Sequence, residues 1–187
     1  MTRIIAGVAG GMRLDVPGTG TRPTSDRVRE SLFAALTSSD AIDGARVLDL
    51  YAGSGALGLE SLSRGARSAD LVEKGRAAAT IIRRNAGRIG KALGDGAAVR
   101  VHESAVRPFL ARATGPYDLV FSDPPYDLAD AEMTADLVAL APLLSPDAVV
   151  VIERARRSSP PDLDAAGLEP IRDRVYGDTT LWWARPR

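Results

Sequence analysis

The chain has no cysteine, which removes disulfides, thiolate metal sites and any cysteine nucleophile. Its single histidine, His102, is too little for most zinc sites, so no metal is expected. That histidine falls at the end of a predicted strand and is expected to serve the fold rather than act as a base. Lysine is nearly absent, with only Lys74 and Lys91. Basic and acidic residues balance at 24 each, so no global field draws the protein to a polyanion, and any such attraction has to come from local clusters. No apolar run is long enough to span a membrane and no signal-peptide pattern is seen, so a cytoplasmic protein without a membrane partner is expected. The length, 187 residues, suits one domain with a sizeable core.

What is present begins with Asp123-Pro124-Pro125-Tyr126. It follows the apolar run Tyr117 to Ser122, which reads as a buried strand. A carboxylate, two rigid residues and an aromatic ring therefore stand at a strand's C-terminal end, the edge where open α/β sheets bind ligands. The prolines remove two N–H donors and leave carbonyls as the free polar groups. Acceptors beside a flat ring suit the exocyclic amino group of a nucleobase.

Upstream, the strand Arg46 to Leu50 runs through Tyr51-Ala52-Gly53-Ser54-Gly55 into a helix. Gly53 and Gly55 permit a tight turn and close approach of a ligand. Ala69-Asp70-Leu71-Val72-Glu73 reads as a second strand ending in an acid, placed to grip the hydroxyls of a ribose. Gly53-x-Gly55-x-x-Gly58 also fits the dinucleotide fingerprint. Two details favour S-adenosylmethionine over NAD. Asp49 ends the first strand, where it would repel a pyrophosphate but attract a sulfonium, and a hydride-transfer enzyme has no use for Asp123 to Tyr126.

The periodicity alternates. Strands are predicted near 46–50, 68–73, 97–102, 117–122 and 147–153, with helices near 56–64, 75–90, 105–113 and 129–141. Such alternation argues for a parallel sheet covered on both faces. Segments 168–176 and 179–185 read as a terminal hairpin that adds an antiparallel strand. Trp182 and Trp183 alternate within it, one packing inward and the other facing out. Phe109 reads as core. Ahead of this core, Arg3 to Gly7 and Met12 to Val16 read as a hairpin. After it, Thr24 or Ser25 caps a helix reaching about Leu36. Residues 1–40 thus read as an extension and 41–187 as the main domain.

The glycine loop and Asp-Pro-Pro-Tyr together resemble a class I S-adenosylmethionine-dependent methyltransferase acting on an amino group. The flanks are more specific. Arg3-Ile4-Ile5-Ala6-Gly7, Leu14-x-Val16-Pro17, Arg22-Pro23-Thr24-Ser25-Asp26-Arg27-Val28-Arg29-Glu30-Ser31-Leu32-Phe33 and Val175-Tyr176-Gly177-Asp178-Thr179 are similar to the RsmD family of bacterial 16S ribosomal RNA guanine-N2 methyltransferases. This resemblance implies an α/β, Rossmann-like fold with a seven-stranded, mostly parallel sheet. It implies S-adenosylmethionine held by Asp49, Tyr51, Gly53, Gly55 and Glu73, with either Glu103 or Ser104 near the adenine. Asp123, Pro124 and Tyr126 would act on the guanine. The implied partner is small-subunit ribosomal RNA, within a partly assembled ribosomal particle. Arg3, Arg13, Arg22 and Arg27, in a stretch that also holds Arg29, are the candidate RNA contacts, and Arg154, Arg156 and Arg157 form a second basic cluster. The competing functions are an adenine or cytosine amino-methyltransferase acting on DNA, and a catalytically weak RNA-binding assembly protein with the same fold.

Overall fold

The computed structural model describes residues 2–18 and 26–187. The chain opens with two short antiparallel strands, β1 (Thr2–Arg3) and β2 (Arg13–Leu14), followed by helix α1 (Asp26–Ser38). Then come β3 (Arg46–Asp49), α2 (Ala56–Ser63), β4 (Ser68–Glu73), α3 (Arg76–Leu93), β5 (Ala98–Glu103) and α4 (Val106–Leu110). The remainder is β6 (Tyr117–Ser122), α5 (Asp130–Leu140), β7 (Leu144–Ala155), β8 (Leu168–Tyr176) and β9 (Thr179–Pro186).

The main sheet has seven strands in the order β5-β4-β3-β6-β7-β9-β8. All pairs are parallel except those made by β9, which runs antiparallel to both β7 and β8. The central strands are near-continuous apolar runs because helices cover both faces. On one face Leu32, Phe33 and Leu36 of α1 pack with Leu59 of α2 and Ile82 and Ile89 of α3. On the other, Phe109 and Leu110 of α4 pack with Leu137 and Leu140 of α5. The two tryptophans divide between these faces. Trp183 is buried in the first cluster, and Trp182 is half-buried against the second, so neither stands free. Strand order reverses between β3 and β6, which opens a crevice at their C-terminal ends.

Several element bounds differ from the sequence reading. The opening hairpin pairs over only two residues per strand, since Gly7 and Gly11 at positive φ turn the chain away from extended pairing. Helix α4 stops at Leu110 rather than near 113, and β7 begins at Leu144 rather than 147. The cap expected at Thr24 or Ser25 lies outside the described residues.

The first forty residues share the main core. Ile4 is fully buried within it. The Ile5 and Ala6 amides donate to the Glu60 carboxylate at 2.6 and 3.0 Å, and Arg64 Nε donates to it at 2.7 Å. Glu60 is 0 % exposed, so those donors are what make its burial tolerable. Gly7 passes so close to α2 that a Cβ there would lie 1.8 Å from the Ser63 carbonyl oxygen, a separation no other residue can accept.

Candidate active site

A cleft of about 280 Å³ lies at the C-terminal ends of β3, β4, β6 and β7. Its floor is the β3–α2 turn. Gly53 (φ 57°) and Gly55 (φ 80°) occupy the left-handed region that the turn requires. The turn is pinned by Gly55 N–H to the Ala52 carbonyl at 2.6 Å and by Ala52 N–H to the Val72 carbonyl at 3.0 Å. Asn85 of α3, 0 % exposed, donates through Nδ2 to the Ser54 and Asp15 carbonyls, both at 2.9 Å, and so ties the loop to the N-terminal block. Gly58 lets α2 lie against β4: a Cβ there would sit 2.2 Å from Leu71 Cδ2.

Glu73 is fixed at the end of β4. Its Oε2 accepts the Gly53 N–H at 3.1 Å and its Oε1 accepts the Gly75 N–H at 2.7 Å. Each carboxylate oxygen keeps lone-pair capacity for a ligand. Asp49 is 1 % exposed. Its Oδ2 accepts the Gly58 N–H at 3.1 Å, while Oδ1 has no hydrogen-bond partner among the described residues. Burial, reinforced by the Glu73 charge, pushes the Asp49 carboxyl up from 3.8 to about 7, although the Gly58 amide and, more weakly, the Tyr51 amide oppose this. Tyr51 lines the cleft and donates its hydroxyl to Asp136 Oδ2 of α5 at 2.6 Å. Burial, then the Asp136 partnership, pushes the Tyr51 hydroxyl far up, so it stays protonated.

At the β5 end, the two alternatives separate. Ser104, with Ala105 and Val106, lines the cleft, and its N–H donates to the Glu73 carbonyl at 3.1 Å. Glu103 turns outward to Arg83 at 3.2 Å and is not part of the wall. His102 is also outside the wall. It bonds buried Asp70 at 2.7 Å, alongside Arg100 at 2.9 Å. Burial alone would raise the Asp70 carboxyl, but these hydrogen bonds outweigh it and hold the group low.

The opposite wall is Asp123 to Tyr126. Pro124 is buried, Asp123 half-buried, and Tyr126 43 % exposed with its hydroxyl 3.2 Å from Thr179 Oγ1. Sequence reasoning missed Glu153. The Ser122–Ile152 register places it beside Asp123 on the adjacent strand, where it lines the cleft while 8 % exposed. It also gave Arg29 no place in the cleft, although Arg29, Leu32, Phe33 and Leu36 occupy one helical face.

Of the candidate RNA contacts, Arg3, Arg13 and Arg27 are exposed and outside the cleft wall, and Arg3 lies 3.9 Å from Asp26. Arg22 lies outside the described residues. The second basic cluster is smaller than the sequence suggested. Arg154 is buried and pairs with Asp130 at 2.7 Å, because its position in β7 points it under α5, leaving Arg156 and Arg157 on the surface.

This crevice, glycine turn and strand-end acid define a class I methyltransferase fold. The family described as conserved hypothetical protein 95 matches residues 2–185, and the chain belongs to this, the RsmD family. It is 39 % identical over 166 residues to ribosomal RNA small subunit methyltransferase D of Escherichia coli strain K12, covering 87 % of this chain and 79 % of that one. The solved structure of Escherichia coli yhhF superposes with a TM-score of 0.82 at 34 % identity, covering 100 % of this chain and 98 % of the other. A hypothetical protein of Thermus thermophilus gives a TM-score of 0.82 at 33 % identity, with 98 % of each chain covered.

Proposed function

We propose that the protein transfers the methyl group of S-adenosylmethionine to the exocyclic N2 of a guanine in small-subunit (16S) ribosomal RNA. We place the reaction in the cytoplasm, on RNA within a partly assembled ribosomal particle. The observation that carries this reading is the facing of Asp123 to Tyr126 and the Glu73–glycine-turn wall across one cleft. The name of the Escherichia coli relative supplies the RNA class.

The residues present fit the cofactor. Glu73 is pinned with acceptor capacity to spare for ribose hydroxyls, and Ser104 to Val106 make a wall beside it for the adenine. Buried Asp49 has an oxygen without a hydrogen-bond partner among the described residues, which suits a cationic ligand. When bound, S-adenosylmethionine supplies an electrophilic methyl on a sulfonium, already a good leaving group. The chain's task is to align a weak nucleophile with it. The lone pair of a guanine amino group is delocalised into its ring. Accepting its two N–H bonds at the Asp123 carboxylate and the Pro124 carbonyl favours a pyramidal nitrogen with the lone pair turned toward the methyl. The same acceptors stabilise the positive charge that develops on that nitrogen. The exposed ring of Tyr126 stacks on the base once it has been extruded from its helix. Arg3, Arg13, Arg22 and Arg27 reach surrounding phosphates, contacts that position without reading sequence.

Nucleoside mass spectrometry of ribosomal RNA from cells with and without the protein tests this. Loss of N2-methylguanosine from the small-subunit RNA is expected. An unchanged N2-methylguanosine content, or loss of a methylated adenine or cytosine instead, refutes the reading.

A further inference from the structure

Arg29 is an unusual residue to find in the cleft wall. It is 1 % exposed, on the face of α1 that also buries Leu32, Phe33 and Leu36. Its Nη2 donates to the Arg3 carbonyl and to Asp26 Oδ1, both at 2.8 Å. Its Nε and Nη1 have no hydrogen-bond partner among the described residues, yet the residue lines the cleft. Buried donors left unpaired on a charged group are costly, and an apolar side chain of similar volume would pack there without that cost. The group is therefore incomplete until something enters the cleft.

What completes it must be small and anionic. A phosphate of an RNA chain is tied into a polymer backbone, whereas a small free ligand can enter the cleft whole. A nucleobase carbonyl is neutral and compensates a guanidinium less well than a carboxylate does. S-adenosylmethionine has one anionic group, the carboxylate of its methionyl end. The cleft it would enter is lined by Asp49, Glu73, Asp123 and Glu153, which suits the sulfonium and ammonium but repels that carboxylate. Among the described residues, Arg29 and Lys74 bring positive charge to the wall. Lys74 directly follows Glu73, at the ribose end. Arg29 lies with Thr2 and Val16 on the wall formed by the N-terminal block.

We infer that Arg29 binds the methionyl carboxylate of S-adenosylmethionine. This rests on the cofactor reading above and adds the N-terminal block to the cofactor site.

The test compares three ligands by titration calorimetry: S-adenosylmethionine, its decarboxylated form, and 5′-methylthioadenosine, which lacks the whole amino-acid end. Wild-type protein is expected to prefer S-adenosylmethionine over the decarboxylated form by about 10–100-fold, the usual worth of charged hydrogen bonds. In Arg29→Gln that preference should vanish, while affinity for 5′-methylthioadenosine stays within about twofold and so reports an intact fold. Arg29→Lys should keep part of the preference. Wild-type discrimination retained in Arg29→Gln overturns the inference, as does equal wild-type affinity for the first two ligands. If Arg29→Gln fails to fold, the wild-type comparison and Arg29→Lys decide. If wild-type protein binds none of the three, it is the cofactor reading that fails.

Discussion

Asp49 offers the sharpest pH test of the site. It is 1 % exposed, accepts a hydrogen bond from Gly58 and has no partner for Oδ1 among the described residues, and burial beside Glu73 raises its carboxyl from 3.8 to about 7. A raised carboxyl means that the folded protein holds this proton more tightly than the unfolded chain does. Its contribution to stability is therefore fully present below the ordinary value and is lost as pH rises through about 7. The span from 3.8 to about 7 corresponds to about 4 kcal/mol between pH 4 and 8. A cationic ligand prefers the ionised form, so binding S-adenosylmethionine should expel the proton. Affinity should then fall about tenfold per pH unit below pH 6. Urea denaturation from pH 4 to 8 reads the first effect; calorimetry in two buffers of different ionisation enthalpy reads the second. Asp49→Asn should lose both dependences, whatever its absolute stability. An Asp49→Asn variant whose stability and proton release follow pH as the wild type does would refute the reasoning.

Other perturbations separate the parts of the site. Asp123→Ala should lower turnover by about 100-fold or more while S-adenosylmethionine affinity stays within about threefold, because its contacts strengthen only in the transition state; steady-state kinetics with calorimetry checks this. Tyr126→Phe should be mild and Tyr126→Ala severe in the same assay, since stacking needs the ring and not the hydroxyl that meets Thr179. Gly58→Ala forces a methyl to within 2.2 Å of Leu71 Cδ2 and should cost about 1–3 kcal/mol of stability in urea denaturation. Replacing exposed Arg13 and Arg27 by Gln should leave the fold intact, weaken RNA binding and flatten its salt dependence by about 0.7–0.9 per lost phosphate contact.

The parts of the molecule legible from sequence are those where one local pattern answers one physical demand. The apolar runs of β3, β4 and β6 can be buried only in a sheet covered on both faces, and they lie within a residue or so of where the sequence places them. Gly53 and Gly55 mark a turn because positive φ is cheap for glycine alone. Residues whose meaning depends on distant partners stayed hidden. Arg154 reads as a surface cation until α5 brings Asp130 to it across 24 residues of chain. Glu153 looks like an ordinary strand residue until the β6–β7 register sets it next to Asp123. Arg29 looks like one more basic residue in an RNA-facing segment. Its burial follows from a helical face shared with Phe33 and Leu36, a signal present in the sequence but masked by the charge. That Ser104 lines the cleft while Glu103 does not turns on one side chain's reach to Arg83, which no periodicity encodes.

The N-terminal block shows why such distinctions bear on experiment. Its arginines invite deletion as a test of RNA binding, yet the same stretch supplies the amides that satisfy Glu60, the carbonyl and amide that hold Asn85, and the Ile4 side chain in the core. Removing it would strip two amide donors from the Glu60 carboxylate, leaving it with Arg64, and hydrogen bonds to a charged group are worth about 1.5–3 kcal/mol each, a large fraction of the stability of a domain this size. Loss of RNA methylation after truncation would therefore report unfolding as readily as a lost RNA contact. The block also presents Arg29 to the cleft, so truncation would remove part of the cleft wall as well. Point substitutions resolve what deletion confounds. Arg13 and Arg27 are exposed, and changing them removes positive charge from the surface without touching the Glu60 and Asn85 ties that weld the block to α2 and α3.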